Sequence, residues 1–297
     1  QPYPLAKTFT SHTTYLEASQ TGLEEAFKLL QAHAIKGHCV HKGVLKEPIL
    51  NESRRGKSDS NAPTALLVLD LDDYKPEVRL PASGITSAHL TATVEAIRAE
   101  LPEPLRSASC IANASSSTGM KADGVIGLHL FFLLEHSVPV SQLTHWLTGL
   151  NFCVEGFQSQ LKLNRSGMSV KWVCDPVVAR NSQLIYISAP EMVGVTDPFV
   201  TPADRWALVQ GATPTCNLLP TLVNLVPATV QQVAERTLSE LRKSLGLKTL
   251  KPSYRRMDID GEKVQVLTNP DQLQMTLIRT TDKYAYWNIN GGDSNAY

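Results

Sequence analysis

Two continuous apolar runs limit the architecture of this chain most. They are Ala65-Leu66-Leu67-Val68-Leu69 and Val125 to Leu134, the second broken only by Gly127 and His129. Each has strand length and lacks polar alternation, so each reads as a strand covered on both faces. Such a sheet needs helices laid on it, and the spacing supplies them. Leu23, Phe27, Leu30 and Ala34 share a helical face behind a capping box at Thr21-Gly22-Leu23-Glu24, closed by Gly37. Leu90, Val94, Ile97 and Leu101 do the same behind Thr86-Ser87 and end at Pro102; Pro139 to Leu150 reads as a short helix. Val230, Val233, Thr237, Leu241 and Leu245 mark a long helix stopped by Gly246. Ser169 to Cys174 and Gln183 to Ser188 read as two more strands. The order predicts an α/β or α+β sheet with helices packed on it.

With 297 residues the chain can bury one large domain, or a domain and a half. Its formal charge is zero, which excludes nucleic-acid binding by bulk charge and leaves only local clusters. One cluster is the loop Asn51–Pro63, with Arg54, Arg55 and Lys57. The other is Arg236 to Arg256, where Arg242, Lys243, Lys248, Lys251, Arg255 and Arg256 join Arg236 against the single acid Glu240. That segment is either a solvated helix face or a DNA contact. Five cysteines with no CxxC pair speak against a disulfide framework and a four-cysteine zinc site, and for a reducing compartment. His33, His38, Cys39 and His41 straddle a helix end and match no zinc spacing, which favours a structural role. No apolar run approaches the roughly 18 residues that span a bilayer. The abrupt ends, Gln1 and the stretch after Gly291-Gly292-Asp293-Ser294, suggest a piece of a longer protein.

The chemistry starts where the first apolar run meets Asp70-Leu71-Asp72-Asp73-Tyr74. Residues two apart on a strand share a face, so Asp70 and Asp72 should point together and Asp73 away. Paired carboxylates repel by several kcal/mol unless a cation or proton relieves them, and a divalent metal with hard oxygen ligands is the natural relief. The bland alternative is a solvated turn. Asp175 repeats the pattern after Val170-Lys171-Trp172-Val173-Cys174; His129 sits inside the second apolar run, behind the hydroxyl-rich loop Ser115-Ser116-Ser117-Thr118-Gly119. Such loops can turn N–H and O–H groups toward phosphate, although a plain linker looks the same.

In combination these stretches resemble the archaeo-eukaryotic primase superfamily, and more narrowly the primase-polymerase domains of phage and plasmid replication proteins. The motifs are LLVLDLDDY (66–74), SSSTGMKADGVIGLHLFF (115–132) and VKWVCDPVVARNSQLIY (170–186). The resemblance implies an α+β fold: an RRM-like catalytic sheet beside a smaller α/β module over residues 1–205, with a helical, basic extension over 206–297 ahead of a helicase region. It implies that Asp70, Asp72 and Asp175 ligate two Mg²⁺ or Mn²⁺ ions and that His129 meets the triphosphate of a dNTP or NTP. Ser117 or Ser116 would hold phosphate, with Arg180 and Lys171 near the nucleotide. Single-stranded DNA template and primer would be the partners, bound by Arg54, Arg55 and the basic extension. No zinc and no membrane association are expected, and the setting would be the cytoplasm of a bacterial or phage-infected cell. Departures exist: family members often carry a Ser-Gly-Gly turn directly before the His, whereas here about ten residues separate Ser117 from Gly127-Leu128-His129. Tyr74 is a candidate steric gate. Two other readings stay open: a haloacid-dehalogenase-type phosphohydrolase with Asp70 as nucleophile and Asp72 as acid/base, and a non-catalytic DNA-binding replication module.

Overall fold

The computed structural model describes residues 6–121 and 124–248, and the backbone pairing of four strands between residues 254 and 289. In chain order, helix α1 (Gln20–Ile35) and strands β1 (Cys39–His41) and β2 (Thr64–Tyr74) come first. Helices α2 (Ser87–Glu100) and α3 (Glu103–Arg106) follow, then strands β3 (Cys110–Ala114) and β4 (Ile126–Val138). Next come α4 (Val140–Cys153), α5 (Glu155–Gln158), β5 (Lys162–Leu163), β6 (Val170–Lys171) and β7 (Leu184–Tyr186). Strand β8 (Trp206–Val209) precedes α6 (Leu219–Leu222) and α7 (Pro227–Ser244). The last four strands, β9 (Tyr254–Ile259) with β10 (Glu262–Leu267) and β11 (Met275–Thr280) with β12 (Ala285–Ile289), form two antiparallel pairs. The chain is therefore a mixed α+β fold with antiparallel sheets.

The central sheet runs β2-β4-β3-β8, antiparallel throughout. Its two long strands are the two apolar runs, and their residues disappear from solvent on both faces: Leu67, Val68, Leu69, Leu128, Leu130 and Phe132 are all fully buried. At about 1.5–3 kcal/mol for each such side chain, this pair of strands anchors the core. Helix α2 lies on β8 and β3, and α1 touches the same two strands. Helix α4 packs on α7 and on the 3₁₀ turn Pro176–Ala179.

Local details depart from the sequence reading. The cap of α1 is Ser19, whose hydroxyl accepts from Gly22 N, so the helix starts before the Thr21 box. Helix α2 does begin at Thr86, with His89 completing the reciprocal cap. The stretch 169–174 yields only the two-residue β6; residues 173–175 instead run beside β2. A boundary after residue 205 would cut off β8, the edge strand that pairs with β3, so the central sheet extends past that point. Beyond it the chain carries the helix α7 and also four strands.

Candidate functional site

Leu71 faces Cys174 across an antiparallel bridge, bracketed by Asp72 N→Val173 O (2.9 Å) and Asp175 N→Asp70 O (2.9 Å). Asp70 therefore lies opposite Asp175 on its outer side. On its inner side it pairs with His129 of β4, which pairs with Asn113 of β3, which pairs with Trp206 of β8. Directly opposed residues share a face of the sheet. Asp175, Asp70, His129 and Asn113 thus form one row across four segments that are far apart in the sequence.

Within the row, His129 Nε2 stands 3.5 Å from Asp70 Oδ1, and its Nδ1 is 3.2 Å from Asn113 Oδ1. The amide oxygen can only accept, so the neutral ring carries its proton on Nδ1 and turns Nε2 toward the acids. Burial pushes the imidazole pKa down to about 4. Burial, then the charges of Asp72 and Asp175, push the Asp70 carboxyl up to about 7. Asp72 is also raised, by desolvation and then by Asp73, against the opposing pull of Lys121 and Lys171.

At the end of β2 the alternation breaks. Leu71 pairs with Leu128 and Tyr74 with Ile126, so Asp72 and Asp73 together oppose Gly127, as in a β-bulge. Asp73 takes a left-handed backbone (φ 51°), which Asp tolerates better than most residues. Its carboxylate binds the ammonium groups of both Lys121 and Lys171, which hold its pKa near 2. Lys171 is thus committed to Asp73, one bulge away from the row. Tyr74, the candidate gate, is a core residue: it is buried, edge-on to Phe157, with its hydroxyl on Glu100.

The serine loop folds back onto the strand that carries His129. Thr118 Oγ1 donates to Gly127 O (2.5 Å) and accepts from Gly127 N (3.1 Å), and Ser115 N donates to Gly127 O (2.9 Å). A Cβ on Gly127 would stand 2.3 Å from Ser115 Oγ, so a larger residue there would force the Ser115 hydroxyl to turn away. Gly127 and His129 are two apart and share a face, which brings the Ser115 and Ser117 hydroxyls (3.2 Å apart) to the end of the acid row. The ten-residue gap in sequence is closed in space. Ser116 is exposed at the tip.

Three residues that the sequence reading passed over hold this arrangement. Asn151 of α4, fully buried, accepts from Cys174 N (2.9 Å) and Val173 N (3.2 Å) and donates to Cys174 O (2.8 Å). It clamps the segment that ends in Asp175. Asn113 orients His129. Arg205, 1% exposed, donates to Ser115 O (3.0 Å), pairs with Asp197 (2.8 Å) and lies over the Phe199 ring, bracing the serine loop. The only sequence signal for the two asparagines is a polar residue inside an apolar stretch, Ile111-Ala112-Asn113-Ala114 and Leu150-Asn151-Phe152.

The other expected residues lie elsewhere. Arg180 leaves the 3₁₀ turn, exposed, and lines a groove with Arg54 and Arg55. Arg242 is not part of a solvated basic face: it is buried, and its guanidinium is taken up by Gly167 O and Lys248 O, closing the turn after α7. Lys243 and Lys248 are exposed. Lys251 and the side chains of Arg255 and Arg256 lie outside the described residues.

The donor set of the row, carboxylate oxygens with one imidazole, fits a hard divalent cation. Among the described residues, however, no three His, Cys, Asp or Glu side chains stand as a finished metal cage. The backbone gathers the acids, but their oxygens have other tasks: Asp175 Oδ1 caps Val177 N (3.0 Å) and Asp70 Oδ1 faces His129. No family model matches the chain, and no curated protein and no solved structure is significantly similar to it. No helix among the described residues is long and apolar enough to cross a membrane.

Proposed function

We propose that this chain is a template-directed nucleotidyltransferase, a DNA primase or polymerase of phage or plasmid replication. The observation that carries the reading is the row itself: Asp70, Asp175 and His129 are neighbours on one sheet face, with Asp72 just beyond. A carboxyl raised by burial among like charges, as Asp70 is, marks a place where a cation would be welcome. Asp70, Asp72 and Asp175 would hold two divalent cations. Bound there, the ions would supply activation of an attacking 3′-hydroxyl and stabilisation of the departing pyrophosphate.

The protein's own groups cover the rest. Ser115 and Ser117 offer hydroxyls to the phosphates at the end of the row. His129, neutral when alone, takes up a proton when a polyanionic triphosphate lies against Nε2, and then balances its charge. Asn113 fixes the ring so that this nitrogen and no other faces the nucleotide. Lys121 and Lys171 pair with Asp73 and oppose its repulsion of Asp72.

The hydrolase reading uses Asp70 and Asp72 but gives no task to Asp175 or His129, and the binding-module reading uses none of the four. Primer extension on a single-stranded template with Mg²⁺ or Mn²⁺ separates them. Incorporation is expected from the intact chain and is lost in the Asp70→Ala/Asp72→Ala variant. Phosphate release from a small phosphomonoester without extension would favour the hydrolase. Template binding indifferent to both substitutions, with no synthesis, would favour the binding module.

A further inference from the structure

The 3₁₀ turn that starts at Asp175 leads into a second feature. Beyond it runs a groove of about 810 Å³. Its walls carry Lys7, Lys46, Arg54, Arg55 and Arg180, with no Asp or Glu among the lining residues. In a chain of zero formal charge, such a concentration of one sign is a local field, not a composition effect. Of the nearby acids, Glu47 and Glu52 both pair with Lys57, which stands outside the lining, and Asp59 accepts from Asn61 N and is not a lining residue.

The groove is built rather than incidental. β1 pairs with β7 beneath it. Asn181 Nδ2 donates to Asp59 O (2.7 Å) and Ala62 O (2.8 Å), and Gly43 N donates to Asn181 O (3.1 Å), tying the basic loop to the end of the turn. Arg54 is pre-set by a hydrogen bond to Ser182 O (2.6 Å) and by the Phe9 ring, 5.7 Å beneath its guanidinium. Tyr186, 64% exposed, opens its ring onto the same groove.

Cations in a line recognise a polyanion, and an exposed ring among them recognises flat π-faces. A duplex supplies phosphates but keeps its base faces stacked inside; an acidic peptide supplies charge without such faces. Single-stranded nucleic acid supplies both. We propose that this groove is a binding track for single-stranded nucleic acid, with Lys46, Arg55 and Arg180 on phosphates and Tyr186 stacked on a base. Arg180 on its wall follows Asp175 by five residues, about 10 Å at roughly 2 Å rise per residue of 3₁₀ turn. The track stands on the groove's own chemistry, and its test needs no turnover.

The experiment measures binding of the intact chain to a fluorescent oligothymidylate of about 12 nucleotides, a length within the usual site sizes, by anisotropy across a salt series. Losing three phosphate contacts lowers the slope of log K against log[salt] by about 2, and weakens binding at physiological salt by roughly 50-fold. Those are the expected changes for Lys46→Gln/Arg55→Gln/Arg180→Gln. The equally charge-depleted Lys28→Gln/Lys36→Gln/Lys162→Gln, exposed elsewhere, should keep the wild-type slope. Tyr186→Ser should weaken binding at least 5-fold with an unchanged slope, as expected from losing a stacking platform. An unchanged slope in the groove variant overturns the assignment. So does tighter binding of a duplex of equal length, or an equal response of both triple variants, which would mean diffuse charge. Asp70→Ala/Asp72→Ala should lose extension and keep the wild-type salt slope; absence of extension by the intact chain refutes the catalytic reading alone, and an unchanged slope in the groove variant refutes the track alone.

Discussion

Replacing Asp70 by asparagine should make the metal-free protein more stable, although it removes a residue proposed to be essential. The Asp70 carboxyl is pushed from 3.8 to about 7 by burial and by Asp72 and Asp175. A shift of about 3 units corresponds to about 4 kcal/mol at 1.36 kcal/mol per unit. Asp70 keeps a quarter of its side chain in solvent (24%), so about 2–3 kcal/mol is the realistic share. The sign follows from proton counting: between pH 3.8 and 7 the folded state holds the proton that the unfolded state has released. This contribution is present below pH 3.8 and lost as pH rises toward 7. The amide of Asp70→Asn cannot ionise, so urea unfolding with chelator present should show the variant more stable by about 2–3 kcal/mol at about pH 8 and level with wild type near pH 4. Mg²⁺ at about one hundred times its Kd should then restore about 2.7 kcal/mol to the wild type and little to Asp70→Asn. A variant no more stable than wild type at the higher pH, or one stabilised equally by Mg²⁺, would refute the idea that unrelieved repulsion defines this site.

Asn151→Leu removes the partner of three buried backbone groups on Val173 and Cys174, and should cost about 3–5 kcal/mol in urea unfolding with an unchanged m-value. A loss under about 1 kcal/mol would mean that the segment before Asp175 is held by β2 alone. Lys42 is buried with its ammonium on Thr64 Oγ1 and Ala179 O, and burial lowers its pKa from 10.5 to about 8. The unfolded state then holds the extra proton between pH 8 and 10.5, so wild-type stability should rise across that window. Lys42→Met should abolish the rise and be about 1–3 kcal/mol more stable near pH 7 by the same unfolding assay.

The elements were legible because hydrophobic spacing is a local property. Ala65–Leu69 and Val125–Leu134 had to be strands, and they pair with each other in the central sheet, β4 inside it and β2 at its border. Thr86 caps α2 where the sequence put the cap, its hydroxyl accepting from His89 N, while Asp204 takes the N–H of Ser87. Where the local pattern was ambiguous, packing chose. Ser19 and not Thr21 caps α1, and residues 173–175 leave the strand that starts at Val170 to run along the edge of β2, where Asn151 satisfies Val173 and Cys174.

The sequence by itself determined which residues carry charge, which are apolar, and therefore that acids follow apolar runs and that a histidine lies inside another such run. Only the tertiary structure decided what those residues meet. The bulge at Asp72-Asp73 overrode strict alternation and handed Asp73 to two lysines. The antiparallel register set Asp175 and His129 on either side of Asp70, and Gly127 let the serine loop return across ten or so residues of chain. The physical reason is range. Propensity and periodicity act within a few residues, whereas a carboxylate's pKa and partners depend on side chains some sixty to one hundred positions away, brought near only when the core closes.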